Sequence, residues 1–340
     1  MEFPFATLDV FTTKRLEGNP LAIVRVPASL RDRLTQPLKQ KIAQEFNLSE
    51  TVFLHDDTSK AGASAREVDI FTVERELPFA GHPTIGTAVF VQHHLGISGS
   101  VQKLITKAGA IPIAPSDSDG SAMVADIPHN TRLHGRTLRD VFGADESAIT
   151  ANLHPNPEIR AAELDAPAFS IVAGMAFVLV KLASLELLGE VSAGKRLDFD
   201  ALPAPLLDEG WRESFVSRYY YVDVDALDDN DATQQQEKGE KGEGVRHLRT
   251  RMVELGFEDP ATGSAASALS AYLTRRERKG TRFEITQGVE MGRKSVISVE
   301  TSTKIEETDT GNKVKLDKVY LGGSAVVVLQ GTLRVDDVDV

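Results

Sequence analysis

A short element occurs twice in the chain, once in each half, and this repeat constrains the fold more than any other feature of the sequence. Pro83–Ala88 and Pro260–Ala265 both read P-x-x-G-[TS]-A, and each is followed by an apolar run compatible with a helix. A second pair of similar elements, Gly120–Val124 and Gly323–Val327, occurs in the same order along the chain. Together the two pairs predict a duplicated fold of two similar α/β halves.

The length of 340 residues agrees with two domains, because a domain typically has roughly 100–200 residues. We predict a first domain over residues 1–127 and a second domain over residues 128–328. A final strand at about 329–340 is expected to return to the first domain. The segment Asp225–Gly244 is polar and of low complexity. It has too little apolar surface to offset the entropy of ordering, so we predict a mobile insertion there.

Hydrophobic periodicity predicts alternating strands and helices in the first half of the chain. The predicted strands are Thr7–Phe11, Leu21–Val24, Ser49–Leu54 and Val68–Thr72. The predicted helices are Leu30–Phe46 and Thr87–Leu95. The second of these helices is apolar over most of its length, which is typical of a buried helix.

Composition excludes several classes of protein. The chain has no cysteine, which excludes disulfides, a thiolate nucleophile, cysteine-ligated zinc and iron–sulfur clusters. Its 50 acidic and 38 basic residues leave a net charge of −12, which argues against a nucleic-acid partner. No apolar run approaches the roughly 18 residues that span a bilayer, and Met1–Asp9 lacks the pattern of a signal peptide. We therefore expect a cytoplasmic protein with no membrane partner.

The sequence has no signature of a bound cofactor. It contains neither a phosphate-binding P-loop nor the G-x-G-x-x-G dinucleotide fingerprint. His93 and His94 are adjacent in a predicted helix, where neighbouring residues do not share a face, so they make a poor pair of metal ligands. We expect a reaction that needs no cofactor and no metal.

The residue before each repeated proline is titratable, His82 in one half and Asp259 in the other. In a duplicated fold these two side chains would lie at equivalent positions, each close to the start of a helix. The first turn of a helix has free N–H groups and the positive end of the helix dipole, which together suit a carboxylate or an oxyanion. Two simpler interpretations stay open: His82 as a structural histidine, and Asp259 as a helix cap. The candidate substrate-binding residues are Gly81, Thr84, Gly263, Ser264 and Ala265.

Five motifs, in order along most of the chain, resemble one known family. They are Gly18–Ala22, Asn47–Phe53, Glu76–Pro83, Glu258–Ala265 and the pair Gln287–Gly288 with Met291–Arg293. The resemblance is to the PhzF-like family of phenazine biosynthesis. It implies the fold of diaminopimelate epimerase, with two similar α/β domains, each a barrel-like mixed sheet around a central helix. It also implies an active site between the domains and a homodimer.

The resemblance also implies roles for individual residues. Glu50 would be the main proton acceptor and donor, and His82 and Asp259 would complete the acid/base set. Ser264 and nearby backbone amides would bind the carboxylate of the substrate. The diaminopimelate relatives use two cysteines as opposed bases, and that mechanism is unavailable to a chain without cysteine.

The residues around Glu50 indicate a related role independently. Glu50 stands in an otherwise apolar stretch, Leu48–Leu54, and an alternating strand would place it on the same face as Val52 and Leu54. A carboxyl in apolar surroundings loses solvation in its charged form, which raises its pKa toward the working pH. The alternative is a glutamate at a strand edge or on the surface.

We therefore predict a cofactor-independent isomerase that moves a proton between carbons of a small carboxylated substrate. One alternative is a non-catalytic protein that binds a small ligand on the same scaffold. A separation of more than about 5 Å between Glu50 and His82 would favour it, because direct proton transfer needs about 2.6–3.2 Å. The other alternative is an amino-acid racemase or epimerase, which needs bases on two opposed faces.

Overall fold

The computed structural model describes residues 1–56, 64–95, 101–117, 120–192, 197–227, 244–254, 257–308 and 311–336. Most of the segment for which we predict a mobile insertion, residues 228–243, lies outside the described residues. Within the described ranges, no helix is both long enough and apolar enough to span a membrane.

Strands make up most of the regular structure. They are β1 (Glu2–Val10), β2 (Asn19–Val26), β3 (Thr51–His55), β4 (Ala65–Phe71), β5 (Glu76–Leu77), β6 (Lys103–Thr106), β7 (Gly109–Pro115), β8 (Met123–Asp126), β9 (Arg132–Leu133), β10 (Ala168–Val172), β11 (Met175–Lys181), β12 (Phe215–Asp223), β13 (Val245–Glu254), β14 (Phe257–Asp259), β15 (Arg282–Gln287), β16 (Ser295–Thr308), β17 (Gly311–Gly323) and β18 (Ala325–Arg334). The helices are α1 (Gln36–Phe46), α2 (Gly81–His94), α3 (Leu138–Phe142), α4 (Glu146–Asn152), α5 (Pro157–Asp165), α6 (Leu185–Glu190) and α7 (Gly263–Glu277), with 3₁₀ turns at Ala28–Arg33 and Val224–Ala226.

The chain divides into two compact units. The first unit comprises Met1–Ile127 and Leu321–Val340, and the second comprises Pro128–Tyr320. The C-terminal segment belongs to the first unit because β18 pairs antiparallel with β1 along its whole length. This pairing starts at Ala325, opposite Val10, so the returning strand begins before residue 329.

The sheets of the two units have the same order and the same strand directions. In the first unit the order is β18-β1-β2-β3-β4-β6-β7, with β2–β3 and β4–β6 parallel and the other neighbours antiparallel. In the second unit it is β9-β10-β11-β12-β13-β15-β16, with β11–β12 and β13–β15 parallel and the rest antiparallel. This correspondence confirms the predicted duplication of an α/β fold.

The second pair of sequence elements does not relate one unit to the other. Gly120–Val124 leads into β8 and Gly323–Val327 leads into β18, and both strands belong to the first unit. That part of the repeat argument was therefore wrong. The physical reason is that the last strand of the chain pairs with β1 and completes the first sheet.

Each unit has a buried helix packed against its sheet. In the first unit, α2 is buried along Gly81–Val91 and contacts β1, β2, β3, β8 and β18. In the second unit, α7 is buried over most of its length and contacts β10, β11 and β16. A helix that is buried on all sides needs apolar residues all round, which explains the run Ile85–Val91.

Two helix boundaries differ from the prediction. Helix α2 begins at Gly81 rather than Thr87, so Pro83 lies in its first turn. Proline is tolerated there because the N–H of the first turn has no partner within the helix. The predicted helix Leu30–Phe46 is instead a 3₁₀ turn followed by α1, which starts after Thr35 and has Pro37 in its first turn.

A buried ionic group lies in the second unit. Glu163 of α5 has no exposed surface, and its carboxylate accepts hydrogen bonds from Arg218 Nη1 at 2.8 Å and from the Tyr220 hydroxyl at 2.5 Å. It also accepts one from the backbone N–H of His154 at 2.8 Å. The carboxylate therefore joins α5, β12 and the loop after α4.

We expect Glu163→Gln to destabilise the protein strongly, because it removes the charge that the buried Arg218 guanidinium contacts. The expected loss in the free energy of unfolding is roughly 3–5 kcal/mol. The control is Glu158→Gln, on the exposed side of the same helix, which should cost less than about 1 kcal/mol. Chemical denaturation measures both. A loss for Glu163→Gln no larger than that of the control would contradict this account.

Candidate active site

Glu50 lies at the point where the chain enters β3. Helix α1 ends at Phe46, and the left-handed backbone of its C-cap Asn47 (φ 50°) turns the chain back toward the sheet. Strand β3 starts at Thr51, one residue after Glu50, so Glu50 precedes the strand rather than standing within it. Phe53 packs in the same cluster as the α1 residues. The opposite face of β3 therefore points toward α2, which contacts this strand.

Glu50 and His82 are neighbours in the first unit. Oε2 of Glu50 lies 3.7 Å from Nε2 of His82, and the two side chains are 17% and 5% exposed. Oε2 of Glu50 is itself buried and has no hydrogen-bond partner among the described residues. The separation is slightly longer than a hydrogen bond. Catalytic contacts are commonly long without substrate and shorten in the complex.

Burial changes the protonation of Glu50. Loss of solvation raises the pKa of Glu50 from 4.5 to about 7, and a hydrogen bond with the Ser49 side chain only partly opposes the shift. At neutral pH the carboxyl group is therefore divided between its acid and its carboxylate. A group in that condition can accept a proton and return it with little cost in either direction.

Asn19 orients the imidazole of His82. The side-chain amide nitrogen of Asn19, at the start of β2, lies 3.4 Å from Nδ1 of His82, and both residues are buried. An amide nitrogen only donates, so Nδ1 accepts and the neutral ring carries its proton on Nε2, the nitrogen that faces Glu50. Sequence reasoning assigned no role to Asn19, although it lies within the first of the family motifs.

Gly81 and His82 are the first two residues of α2, and Ala80 is the N-cap. His82 is thus in the first turn of the helix, whereas the predicted helix begins only at Thr87. The hydroxyl of Thr84 donates to the carbonyl of Ala80 at 2.7 Å. Its proton is therefore used within the helix, and Thr84 has only acceptor capacity left for a ligand.

The shifted pKa of Glu50 predicts a pH-dependent gain in stability for Glu50→Gln. The folded protein holds this proton more tightly than the unfolded chain does, so the free energy of unfolding decreases as pH rises from about 4.5 to about 7. Glutamine does not ionise, so the variant should gain roughly 2–3 kcal/mol relative to wild type between pH 5 and pH 8.

Thermal or chemical unfolding of wild type and Glu50→Gln at the two pH values measures this gain. The control is Glu45→Gln, an exposed position on α1, which should show no such pH dependence. An equal difference between Glu50→Gln and wild type at both pH values would show that Glu50 is not desolvated.

In the second unit, Asp259 is the last residue of β14, four residues before α7 begins. One oxygen of its carboxylate, Oδ2, accepts a hydrogen bond from the hydroxyl of Thr262 at 2.6 Å. Thr262, and not Asp259, is the N-cap of α7. The simple interpretation of Asp259 as a helix cap was therefore wrong, and its side chain is instead held by the residue that occupies the cap.

The repeated sequence elements lie at different positions in the two helices. In α2, the repeat proline Pro83 is the third helical residue, whereas Pro260 lies before α7, which begins at Gly263. Aligned from the helix starts, His82 corresponds to Ser264. The prediction that His82 and Asp259 occupy equivalent positions was therefore wrong, because the repeated sequence element lies at a different place relative to the helix start in each unit.

Gly263, Ser264 and Ala265 form the first turn of α7. The backbone N–H of Ala266 pairs with the carbonyl of Thr262 at 3.0 Å, so intrahelical pairing begins only after that turn. Ser264 is half-buried, while Gly263 and Ala265 are buried. These amides and the Ser264 hydroxyl are the groups that a carboxylate could contact at this helix start.

Gln287, the last residue of β15, ties the loop from Asp259 to Thr262 to the sheet. Its Nε2 donates to the Asp259 carbonyl at 2.8 Å and to Thr262 Oγ1 at 3.1 Å. Its Oε1 accepts from the Thr262 N–H at 3.2 Å and from the Tyr219 hydroxyl at 3.0 Å. Gln287 lies in a family motif, but its contacts depend on residues distant in sequence, and sequence reasoning gave it no role.

The described ranges contain no group of three histidine, aspartate or glutamate side chains arranged as metal ligands. His93 and His94 end α2. The His94 ring stacks on Phe90, with ring centroids 5.8 Å apart.

We expect Gly288→Ala to disturb the loop from Asp259 to Thr262. Gly288 has φ +75°, and an added Cβ would lie 2.6 Å from the Pro260 carbonyl oxygen and 2.5 Å from that of Arg293. The expected loss in the free energy of unfolding is roughly 2–4 kcal/mol, from backbone strain and overlap together.

The matched control is Gly292→Ala. Gly292 has φ +70°, but an added Cβ there has open space around it, so it carries the backbone strain alone, roughly 1–2 kcal/mol. Denaturation curves of both variants measure the difference. Equal losses would contradict the close approach of residue 288 to Pro260.

The phenazine biosynthesis-like (PhzC-PhzF) family matches residues 8–203 and 222–331 of the chain. An uncharacterized isomerase of Mesorhizobium japonicum is 36% identical, over 96% of this chain and 96% of its own length. The trans-2,3-dihydro-3-hydroxyanthranilate isomerase of Pseudomonas fluorescens is 28% identical, over 97% of this chain and 98% of its own length.

Solved structures match the fold along nearly the whole chain. A PhzF-family phenazine biosynthesis protein of Bacillus anthracis superposes with a TM-score of 0.67 at 20% identity, over 98% of this chain and 100% of that chain. A hydroxyproline epimerase of Agrobacterium vitis superposes with a TM-score of 0.54 at 12% identity, over 98% and 92%. These matches confirm the predicted diaminopimelate epimerase-like fold. The chain belongs to the phenazine biosynthesis-like family and is an isomerase.

Proposed function

We propose that this isomerase moves a proton between two carbons of a small carboxylated substrate, with Glu50 as the proton carrier and with no cofactor. The observation that carries the proposal is the state of Glu50. Its Oε2 is buried without a hydrogen-bond partner among the described residues, and burial raises its pKa to about 7. An unsatisfied oxygen of this kind costs stability, and such costs are typical of functional sites.

The chemistry follows from the two protonation states. As a carboxylate, Glu50 removes a proton from an acidified carbon, and the neutral acid that results is favoured by the same desolvation that raised its pKa. As an acid, it returns the proton to a different carbon of the same molecule. One group thus serves as base and then as acid, so the substrate neither gains nor loses a proton overall, and the proton held by Glu50 between the two steps can exchange with solvent.

His82 is proposed to assist Glu50 through its Nε2 proton. Asn19 favours the tautomer that places this proton toward Glu50. A donor in that position stabilises the Glu50 carboxylate in the absence of substrate. With substrate bound, the same N–H can donate to an oxygen of the substrate as negative charge develops there. This role needs the neutral imidazole, which is the form that the contact with Asn19 favours.

The second unit is proposed to supply Asp259 and the start of α7. Asp259 completes the acid/base set, and Ser264 with the neighbouring amides binds the substrate carboxylate. What supports this is the first turn of α7, where Gly263, Ser264 and Ala265 have no intrahelical partner for their N–H groups by helix geometry. The positive end of the dipole of α7 also attracts the negative charge of a carboxylate.

A non-catalytic binding protein on the same scaffold is the weaker alternative. It would need no raised pKa at Glu50 and no contact between Glu50 and His82. The two side chains lie 3.7 Å apart, less than the separation of about 5 Å that would favour this alternative.

The test uses trans-2,3-dihydro-3-hydroxyanthranilate, the carboxylated compound that gives several relatives their name. In D2O, wild type should isomerise it and incorporate solvent deuterium at the carbon that receives the proton. Glu50→Gln should reduce turnover by about 10²–10⁴-fold, the typical contribution of a positioned acid/base group.

Glu45→Gln, an exposed change five residues earlier, is the matched control and should keep wild-type turnover. Undiminished turnover with deuterium incorporation in Glu50→Gln would overturn the role of Glu50. If Glu50→Gln and Glu45→Gln both isomerise the compound as fast as wild type, proton transfer does not use the carboxyl group of Glu50.

A further inference from the structure

A directional chain of hydrogen bonds in the second unit ends on the carboxylate of Asp259. It runs from Tyr219 through Gln287 and Thr262, and each of its members is anchored on a different element: β12, β15 and the N-cap of α7. We infer that Gln287 and Thr262 are positioning residues that fix the Asp259 carboxylate for catalysis. The inference rests on the proposed function, because it assigns how one member of the proposed acid/base set is held.

The amide of Gln287 leaves no freedom in this arrangement. The side chain has no exposed surface. Its Nε2 makes two hydrogen bonds, and its Oε1 accepts from the Thr262 N–H and from hydroxyl groups of the sheet. Reversing the amide would place its nitrogen against the Thr262 N–H, a donor facing a donor. The contacts therefore determine which end of the amide is oxygen.

The hydroxyl of Thr262 has one proton and a fixed direction for it. Its oxygen accepts from Gln287 Nε2 at 3.1 Å, so its own proton is available to Asp259 Oδ2 at 2.6 Å. A hydrogen bond to a carboxylate is stronger than one between neutral groups. The bond therefore selects one orientation of the Asp259 side chain.

Tyr219 supports Gln287 from the sheet. Its ring is fully buried on β12, and its hydroxyl lies 3.0 Å from Gln287 Oε1 and 2.9 Å from Thr250 Oγ1 on β13. The Thr250 hydroxyl lies 3.5 Å from the same Gln287 oxygen. Burial raises the pKa of Tyr219, so its hydroxyl keeps its proton. Whichever of the two hydroxyls donates, Gln287 Oε1 therefore faces a hydroxyl donor.

Gln287 also binds the backbone of the loop that leads from Asp259 to Thr262. Pro260 has no N–H, so the backbone between Asp259 and Thr262 lacks one donor. Gln287 replaces backbone pairing by binding both ends of the loop, the Asp259 carbonyl and the Thr262 N–H. Gly288 then passes so close to the Pro260 carbonyl that only glycine fits.

Thr262→Val and Thr262→Ser form a matched pair for the test. Valine keeps the shape of threonine without the hydroxyl, and serine keeps the hydroxyl. With trans-2,3-dihydro-3-hydroxyanthranilate as the probe, we expect kcat of Thr262→Val to fall at least 10-fold with KM within about threefold of wild type, and Thr262→Ser to recover most of kcat. Equal kcat in the valine and serine variants would overturn the inference.

A double-mutant cycle tests the path through Gln287. Gln287→Met has a similar length and no hydrogen-bonding group, so Thr262→Val should reduce kcat little further in that background. Independent, multiplicative losses would show that the two residues act separately and would contradict the chain. Thermal unfolding gives the unfolded fraction of each variant. A loss of kcat that only follows this fraction would show that Thr262 and Gln287 are structural and would contradict the inference.

A second readout needs no turnover and separates this inference from the proposed function. In protein labelled with ¹³C at the aspartate carboxyls, the Asp259 resonance is assigned by its loss in Asp259→Asn. Thr262→Val should shift that resonance and Thr262→Ser should leave it close to its wild-type position. An unshifted resonance in Thr262→Val would overturn the inference even if wild type turns over the probe. A shifted resonance with an inactive wild type would contradict the proposed function while the contact itself stands.

Discussion

Desolvation of a single carboxyl group is the interaction on which the proposed chemistry of this protein depends. Glu50 follows a turn in the first unit. Its side chain lies beside His82 in the first turn of α2, a helix that is buried on all sides. That environment penalises the carboxylate and brings the acid and base forms close in free energy. The arrangement costs stability that is lost progressively as pH rises from about 4.5 to about 7.

The duplicated fold contains the same arrangement of strand and helix twice, with different side chains at the start of the helix. Each unit has a short strand that leads into a buried helix, β5 before α2 and β14 before α7. The second residue of the helix is His82 in one unit and Ser264 in the other. The first unit thus has a titratable ring beside a carboxyl group, and the second has a serine at the corresponding place in its helix. The two similar helix starts therefore carry different side chains.

Local patterns predicted the first four strands, the duplication and the presence of Glu50 in apolar surroundings, because these depend on alternation and on short motifs. The start of α2 was placed six residues late, since a proline after a histidine looks like a loop until the helix geometry is known. For the same reason, the sequence did not reveal that the repeated proline lies inside α2 but before α7. Gln287 and Tyr219 could not be found this way, because their contacts join β12, β15 and α7 across long stretches of sequence.

The most direct test of the account is the titration of Glu50 itself. Glutamate labelled with ¹³C at the side-chain carboxyl reports its protonation through the chemical shift, and the resonance of Glu50 is assigned by its loss in Glu50→Gln. The account predicts a midpoint at a pH of about 7. A midpoint near 4.5, the ordinary value for glutamate, would show a solvated carboxylate and would contradict the claim that Glu50 carries the proton.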